Sequence, residues 1–102
     1  MRVLIVAGSF RVDPARRDEF LAGRAEAMAL SRAEPGCIDY VFSADPLDAG
    51  RAVLYERWED EASLAAHLQA IRDRTTAFSS DDVPVLESEV VRYDISSATP
   101  LG

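Results

Sequence analysis

The sequence predicts an α+β fold, a ferredoxin-like β-α-β-β-α-β arrangement with an antiparallel sheet. Apolar residues repeat at strand spacing in four short segments and at helical spacing in two longer ones, and the segments follow one another in that order. A length of 102 residues with 48% hydrophobic residues suits one core. We therefore predict a single domain over residues 1–95 and a C-terminal tail over residues 96–102.

The first strand and the first helix have clear signals. Residues 2–10 are rich in Val, Leu and Ile on both faces, which is typical of a strand covered on both sides. Asp13 is a good N-cap residue and Pro14 suits the first turn, so a helix is predicted to begin there. Its apolar stripe continues to about Arg32, where a Pro-Gly pair follows and predicts a turn.

The second half of the chain repeats the pattern. Strands are predicted at residues 37–43 and 52–59, and Asp60 can cap a second helix. The apolar stripe of this helix consists of Leu64, His67, Leu68 and Ile71. Residues 75–84 are polar and contain proline, which predicts a loop with a short turn near Phe78. The last strand is predicted at residues 86–95.

The strand pattern also predicts a partner. Two helices on one face of a sheet leave the other face bare, yet the first two strands are apolar on both faces. Such a patch would exceed what soluble monomers expose. A homodimer, sheet against sheet, is the simplest prediction.

Composition excludes several classes of function. The net charge of −7 disfavours nucleic acid and anionic membranes as partners. The chain has no Lys, which excludes Schiff-base chemistry and a P-loop. A single cysteine, Cys37, forms no internal disulfide, so a cytoplasmic location is predicted. No metal-ligand spacing and no Gly-rich nucleotide loop is present, so no metal and no cofactor are predicted.

The segment from Tyr55 to His67 carries the candidate site. It holds the only His and the only Trp of the chain, with Glu56 two residues before Trp58. His67 lies roughly 10 Å along a helix that folds back over the strand, which covers about three strand residues. A Glu56–His67 pair is therefore predicted. The alternatives are a hydrogen-bonded core His, a Trp that only packs and a Glu in a structural ion pair.

Two blocks of sequence, "EPGCIDYVFSADP" and "LYERWEDEASLAAH", resemble the antibiotic biosynthesis monooxygenase family. The resemblance implies a dimeric α+β barrel that oxidises a quinol, phenol or polyketide-like aromatic with dioxygen, without metal or flavin. It implies His67 as base or hydrogen-bond partner and Glu56 as the group that orients it. The aromatic residues assigned to substrate binding are Trp58, Tyr40, Phe42 and Phe78.

The chain also departs from parts of that family. Some members are proposed to use an Asn for proton handling, and this chain has none. A related haem-degrading group uses an Asn, a Trp and an iron-ligating His further along its helix, where residues 72–78 hold no second His. Two alternatives stay open: an isomerase or degradative enzyme acting on a small metabolite, and a non-catalytic small-molecule-binding dimer.

Overall fold

The computed structural model describes residues 3–77 and 83–102. The four strands are β1 (Leu4–Arg11), β2 (Cys37–Ala44), β3 (Arg51–Trp58) and β4 (Glu87–Asp94). The helices are a 3₁₀ turn (Pro14–Arg16), α1 (Arg17–Ala22), α2 (Ala25–Arg32) and α3 (Glu61–Ala77). The strands form one antiparallel sheet in the order β2-β3-β1-β4, which confirms the predicted ferredoxin-like α+β fold.

The register of the central strands decides which side chains meet the helices. Leu4 of β1 lies opposite Trp58 of β3, and Glu56 lies between Val6 on one side and Tyr40 of β2 on the other. Paired residues share a face, so these side chains all point to the helix layer. The buried hydrophobic cluster there consists of Leu4, Tyr40, Leu54, Trp58 and Leu64.

The first helical segment is broken, so the predicted continuous helix is wrong. Asp13 caps the 3₁₀ turn by accepting a hydrogen bond from the Ala15 N–H at 2.9 Å. Gly23 then ends α1, with its N–H bonded to the carbonyl of Glu19, and α2 starts two residues later. Glycine is a poor helix former, and the break lets Phe20 and Met28 reach separate parts of the core.

The helix α3 is longer than predicted. The loop predicted to begin at residue 75 is wrong at its start, because the helix continues to Ala77. Residues 75–77 contain no Gly or Pro that would end a helix. The predicted turn around Phe78 lies outside the described residues. The Asp60 carboxylate accepts from the Ser63 N–H at 2.8 Å, as predicted for the cap. None of the helices in the described ranges is long and apolar enough to cross a membrane.

The face of the sheet away from the helices carries apolar side chains that the described residues leave partly exposed. Tyr55 keeps 36% of its surface exposed and Tyr93 keeps 49%. Strand alternation and register place on the same face Ile5, Ala7, Val41, Val53 and Val91. The predicted homodimer would cover this face and stays a prediction.

Candidate active site

His67 lies at the centre of the helix–sheet interface. The apolar stripe of α3 turns it toward β3, and none of its surface is exposed. Its ring centroid lies 4.5 Å from that of Trp58 and 5.2 Å from that of Tyr40. Two aromatic side chains therefore pack against the imidazole.

The two ring nitrogens of His67 face two different carboxylates. Nδ1 lies 2.9 Å from Oε1 of Glu34, and Nε2 lies 3.6 Å from Oε1 of Glu56. The proximity of His67 and Glu56 agrees with the residue count along α3. The orienting contact expected from Glu56 is made instead by Glu34, at hydrogen-bond distance.

Glu34 is held in place by the turn between α2 and β2. Its N–H donates to the Ser31 carbonyl at 3.0 Å, and Gly36 adopts a φ of +83° two residues later. A Cβ at Gly36 would overlap the Ser63 side chain at the start of α3, so glycine is required there. The Glu59 N–H donates to the Gly36 carbonyl at 2.9 Å, which ties this turn to the end of β3.

Glu56 is a buried carboxylate with an indole partner. The Trp58 Nε1–H donates to Glu56 Oε1 at 2.9 Å, because the two residues are adjacent on one strand face. Burial raises the pKa of Glu56, while the Trp58 hydrogen bond and the nearby His67 oppose that rise. The carboxyl group is therefore suited to holding a proton that an exposed Glu would release.

Tyr40 provides a buried hydroxyl beside this pair. Burial, together with the nearby Glu56 charge, raises the pKa of Tyr40 to about 12, and an interaction with Ser31 partly offsets the rise. The phenol is therefore neutral at physiological pH and can donate a hydrogen bond. Its ring centroid lies 5.9 Å from that of Phe42, and the centroid of Phe42 lies 5.7 Å from that of Phe10. Phe10 and Phe42 are only half-buried and form an aromatic wall next to Tyr40.

A cavity of about 460 Å³ lies at the other end of the sheet. It is lined by Ser9, Phe10, Arg11, Arg51, Glu87, Ser88 and Glu89. Arg11 pairs with Asp48 at 2.7 Å and Arg51 pairs with Asp45 at 3.0 Å, so both guanidinium groups already have carboxylate partners. His67 is not among the residues that line this cavity.

The described residues contain no group of three or more His, Cys, Asp or Glu side chains that could hold a metal ion. Glu34 and Glu56 contact opposite nitrogens of His67, so the three groups do not converge on one point. The arrangement is suited to moving protons along a line.

Comparison with known families identifies the chain. The model of the antibiotic biosynthesis monooxygenase family matches residues 3–74, which include β1 through most of α3. The chain belongs to this family. Its matched region contains Glu34, Glu56, Trp58 and His67.

Individual relatives and solved structures match nearly the whole length of this chain. The uncharacterized protein sll1783 of Synechocystis sp. is 31% identical over 98 residues, which is 96% of this chain and 67% of that protein. The crystal structure of PA3566 from Pseudomonas aeruginosa has a TM-score of 0.76 at 18% identity, covering 95% of this chain and 97% of that chain. The heme-degrader MhuD from Mycobacterium tuberculosis, with two hemes bound in its active site, has a TM-score of 0.73 at 12% identity, covering 95% and 99%. The two structural likenesses show a shared fold.

The residues predicted from sequence fall into two groups. The structure brings His67, Glu56, Trp58, Tyr40 and Phe42 together on the helix-facing side of the sheet. Phe78 lies outside the described residues. The catalytic and substrate-binding roles of all six stay predictions.

Sequence reasoning missed three residues of this site. Glu34 stands at the start of the "EPGC" block, directly before the turn, and that position was the available signal. Ser31 is a fully buried polar residue on α2, three residues after Met28 in its stripe. Phe10 ends the first apolar strand segment, where nothing in its spacing distinguishes a pocket wall from a core residue.

Proposed function

We propose that this protein is a cofactor-independent monooxygenase that oxidises a quinol, a phenol or a polyketide-like aromatic with dioxygen. The observation that carries the proposal is a single imidazole with a carboxylate at each nitrogen, packed beside an aromatic wall. Membership of a family described as monooxygenases supports the reaction class. Fold alone would not, because one fold hosts many reactions.

The reaction needs little from the protein beyond acid–base chemistry and binding. A deprotonated phenol or quinol is electron-rich and passes electrons to dioxygen. One oxygen atom enters the ring, and the other leaves as water with two hydrogen atoms of the substrate. Each of these substrates gains one oxygen atom and loses two hydrogen atoms, which is a four-electron oxidation, and dioxygen accepts the four electrons. Positioned proton transfer of this kind typically contributes a factor of about 10²–10⁴ in rate.

The residues divide these tasks in a simple way. Nε2 of His67, with Glu56 beside it, takes the proton from the substrate hydroxyl. Tyr40 remains protonated and donates a hydrogen bond to the developing oxyanion. The aromatic ring binds against Phe10 and Phe42, which are half-buried and adjacent to Tyr40.

Substrate access requires a movement, because His67 is fully buried. The Phe10 and Phe42 rings are half-buried and lie next to Tyr40, so we expect their displacement to uncover Tyr40 first. Gating of this kind commonly limits turnover in enzymes with closed sites. We therefore expect binding of an aromatic ligand to change the fluorescence of Trp58, which is the only Trp of the chain.

The working unit is proposed to be a cytoplasmic homodimer. The uncovered sheet face, with Tyr55 and Tyr93 partly exposed, would be buried against a second copy. Light scattering coupled to size exclusion should give twice the mass of one chain. A Tyr55→Asp variant should shift to monomer, and a wild-type protein that is already monomeric would overturn this part of the proposal.

Oxygen uptake tests the proposed reaction. Metal-free protein is mixed with a panel of quinols, phenols and anthrones, and dioxygen consumption is followed for wild type and His67→Gln. We expect uptake that falls by about 10² or more in the variant. Gln69→Ala, an exposed change two residues away on α3, serves as the matched control. Uptake equal in wild type and His67→Gln would remove His67 from the mechanism.

A second candidate is a non-catalytic small-molecule-binding dimer. It is favoured by the full burial of His67 and Trp58 and by the position of the described cavity away from them. An absence of oxygen uptake with every substrate, together with a ligand that binds at the Arg11 and Arg51 end, would favour it. An isomerase or degradative enzyme for an anionic metabolite would also use such a cavity, but Glu87 and Glu89 line it as well.

A further inference from the structure

We propose that Glu34 is the solvent-side end of a proton relay that runs from Glu56 through His67 to water. This deepens the proposed function, because it gives a base with no exposed surface a route for exchanging its proton with solvent. It rests on that function only for its role in turnover. The relay itself can be observed without any substrate.

The contacts form a polar line through the helix–sheet interface with one gap, the 3.6 Å between Glu56 Oε1 and His67 Nε2, where no hydrogen bond is made. Trp58 donates to Glu56, Glu56 faces Nε2 of His67, and Nδ1 of His67 meets Glu34. The side chains of His67 and Glu56 are 0% and 6% exposed, whereas that of Glu34 is 18% exposed. Of these three groups, Glu34 therefore has the largest contact with water.

The surroundings of His67 leave little room for another route. Trp58 and Tyr40 pack against the imidazole ring, and neither residue exposes more than 4% of its surface. The neighbouring stripe residue Leu64 is apolar and buried. A proton that leaves Nδ1 by a polar contact among the described residues therefore leaves to Glu34.

The 2.9 Å contact between Nδ1 and Glu34 is compatible with either donor, and we assign the proton to Nδ1 from the chemistry of an ionised carboxylate. An ionised Glu34 can only accept, so Nδ1 of a neutral His67 is the donor at 2.9 Å. Nε2 then carries a lone pair directed toward Glu56. A protonated Glu56 can donate to that lone pair as the 3.6 Å separation closes.

The relay conserves protons and moves no electrons. Glu56 or the substrate gives a proton to Nε2, forming an imidazolium that Glu34 contacts at Nδ1. Nδ1 then releases its proton to Glu34, and Glu34 releases it to water. When Nε2 gives its proton to the reduced oxygen or back to Glu56, a proton from water returns through Glu34 to Nδ1, and the ring regains its starting tautomer. The bonds broken are O–H, N–H and O–H in turn, and each is replaced by the bond of the next acceptor.

Other titratable groups around the line stay in one state through the neutral pH range. Burial, with nearby carboxylates, raises the pKa of Cys37 and of Tyr40 on β2, so both remain protonated. Arg74 on α3 interacts with Tyr40, and Arg32 on α2 interacts with Cys37. Neither the thiol nor the phenol is therefore an ionised acceptor that competes with Glu34 for the Nδ1 proton.

The single histidine makes the relay measurable by NMR. In protein labelled with ¹⁵N only at histidine, the ring signals come from His67 alone. We expect wild type to show Nδ1 protonated and Nε2 unprotonated. Exchange of the Nδ1 proton with water is then compared between wild type and Glu34→Gln.

The Glu34→Gln variant separates positioning from relay. Its amide oxygen still accepts from Nδ1–H, but the side chain cannot take up a proton. We expect the ring tautomer to be kept and proton exchange to slow by about 10², the lower range for a positioned acid or base. Glu59→Gln is the matched control, because Glu59 is an exposed carboxylate beside the same Gly36 turn, and we expect it to exchange like wild type.

Each result decides the proposal. Exchange that is as fast in Glu34→Gln as in wild type overturns it, as does a wild-type ring with its proton on Nε2. If exchange in wild type is too fast to give a signal, a signal that emerges in Glu34→Gln supports the relay and continued absence overturns it. Should Glu34→Gln fail to fold, Glu34→Asp, which keeps a titratable group, is expected to exchange at least as fast as Glu59→Gln, and slow exchange there overturns the relay.

Turnover gives a second, separate readout. If the protein oxidises a quinol, Glu34→Gln should lower kcat with KM little changed, because in the proposed mechanism Glu34 does not contact the aromatic ring of the substrate. The loss of kcat should lessen when a small carboxylate buffer is added to carry the proton. Slow exchange in the NMR experiment together with no oxygen uptake would refute the proposed function and leave the relay standing.

Discussion

Replacing Glu56 with Gln should change how stability depends on pH. Burial raises the pKa of Glu56 above its ordinary value of 4.5, so the folded protein holds a proton there that the unfolded chain releases. Between pH 4.5 and the raised pKa, the folded state binds more protons than the unfolded state. The contribution of Glu56 to the free energy of unfolding is therefore fully present below pH 4.5. It is lost as the pH rises through the pKa that Glu56 has in the folded protein.

The size of the effect follows from proton linkage. One proton of difference changes the free energy of unfolding by about 1.4 kcal/mol per pH unit within that window. Glu56 is buried, so solvent screening does not reduce this value strongly. Glu56→Gln keeps the acceptor for the Trp58 N–H but does not titrate, so it should lack this slope.

Urea unfolding at a series of pH values from 4.5 upward measures the difference. The stability of wild type minus that of Glu56→Gln should fall as the pH rises. Carboxylates whose pKa is lowered by hydrogen bonds, such as Asp45 and Asp48, act in the opposite direction but equally in both proteins. A difference that stays flat, or that rises with pH, would refute the idea that Glu56 holds a proton in the fold.

Three further substitutions test the supports of the site. Gly36→Ala should cost about 2 kcal/mol, because it strains a positive φ and meets the Ser63 side chain, and chemical denaturation measures it. Trp58→Phe should cost about 3 kcal/mol, since a buried carboxyl loses its donor, and circular dichroism melts compared with Phe20→Leu would show whether the loss exceeds a simple reduction in volume. Arg17→Met should cost about 2 kcal/mol, because Arg17 Nη1 donates to the carbonyls of Asp45 and Asp48, and an unchanged melting temperature would contradict that role.

The order of elements and the sheet were predictable because they depend on local patterns. The apolar pattern located all four strands to within two residues at each end. Asp13 and Asp60 correctly marked the starts of the 3₁₀ turn and of α3. The break at Gly23 was not predictable, because glycine within a helical pattern is often tolerated. Only tertiary packing, with Phe20 and Met28 reaching different clusters, decides it.

The candidate site was predictable only along the chain. Glu56 and His67 lie in one strand–helix unit, so a residue count could bring them together. Glu34 and His67 are 33 residues apart, and their contact depends on how the turn at Gly36 meets α3. No spacing rule covers such a contact, which explains why the stronger partner of His67 was missed and the weaker one was found.

The most direct test of the proposed chemistry is the origin of the oxygen atom in the product. Metal-free wild-type protein is incubated with an oxidisable quinol or anthrone under ¹⁸O-labelled dioxygen, and the molecular mass of the product is measured by mass spectrometry. The proposal predicts one labelled oxygen atom in the product formed by wild type. It predicts that His67→Gln forms about 100-fold less product in the same time. Unlabelled product, or equal labelling by His67→Gln, would contradict a monooxygenase in which His67 handles the proton.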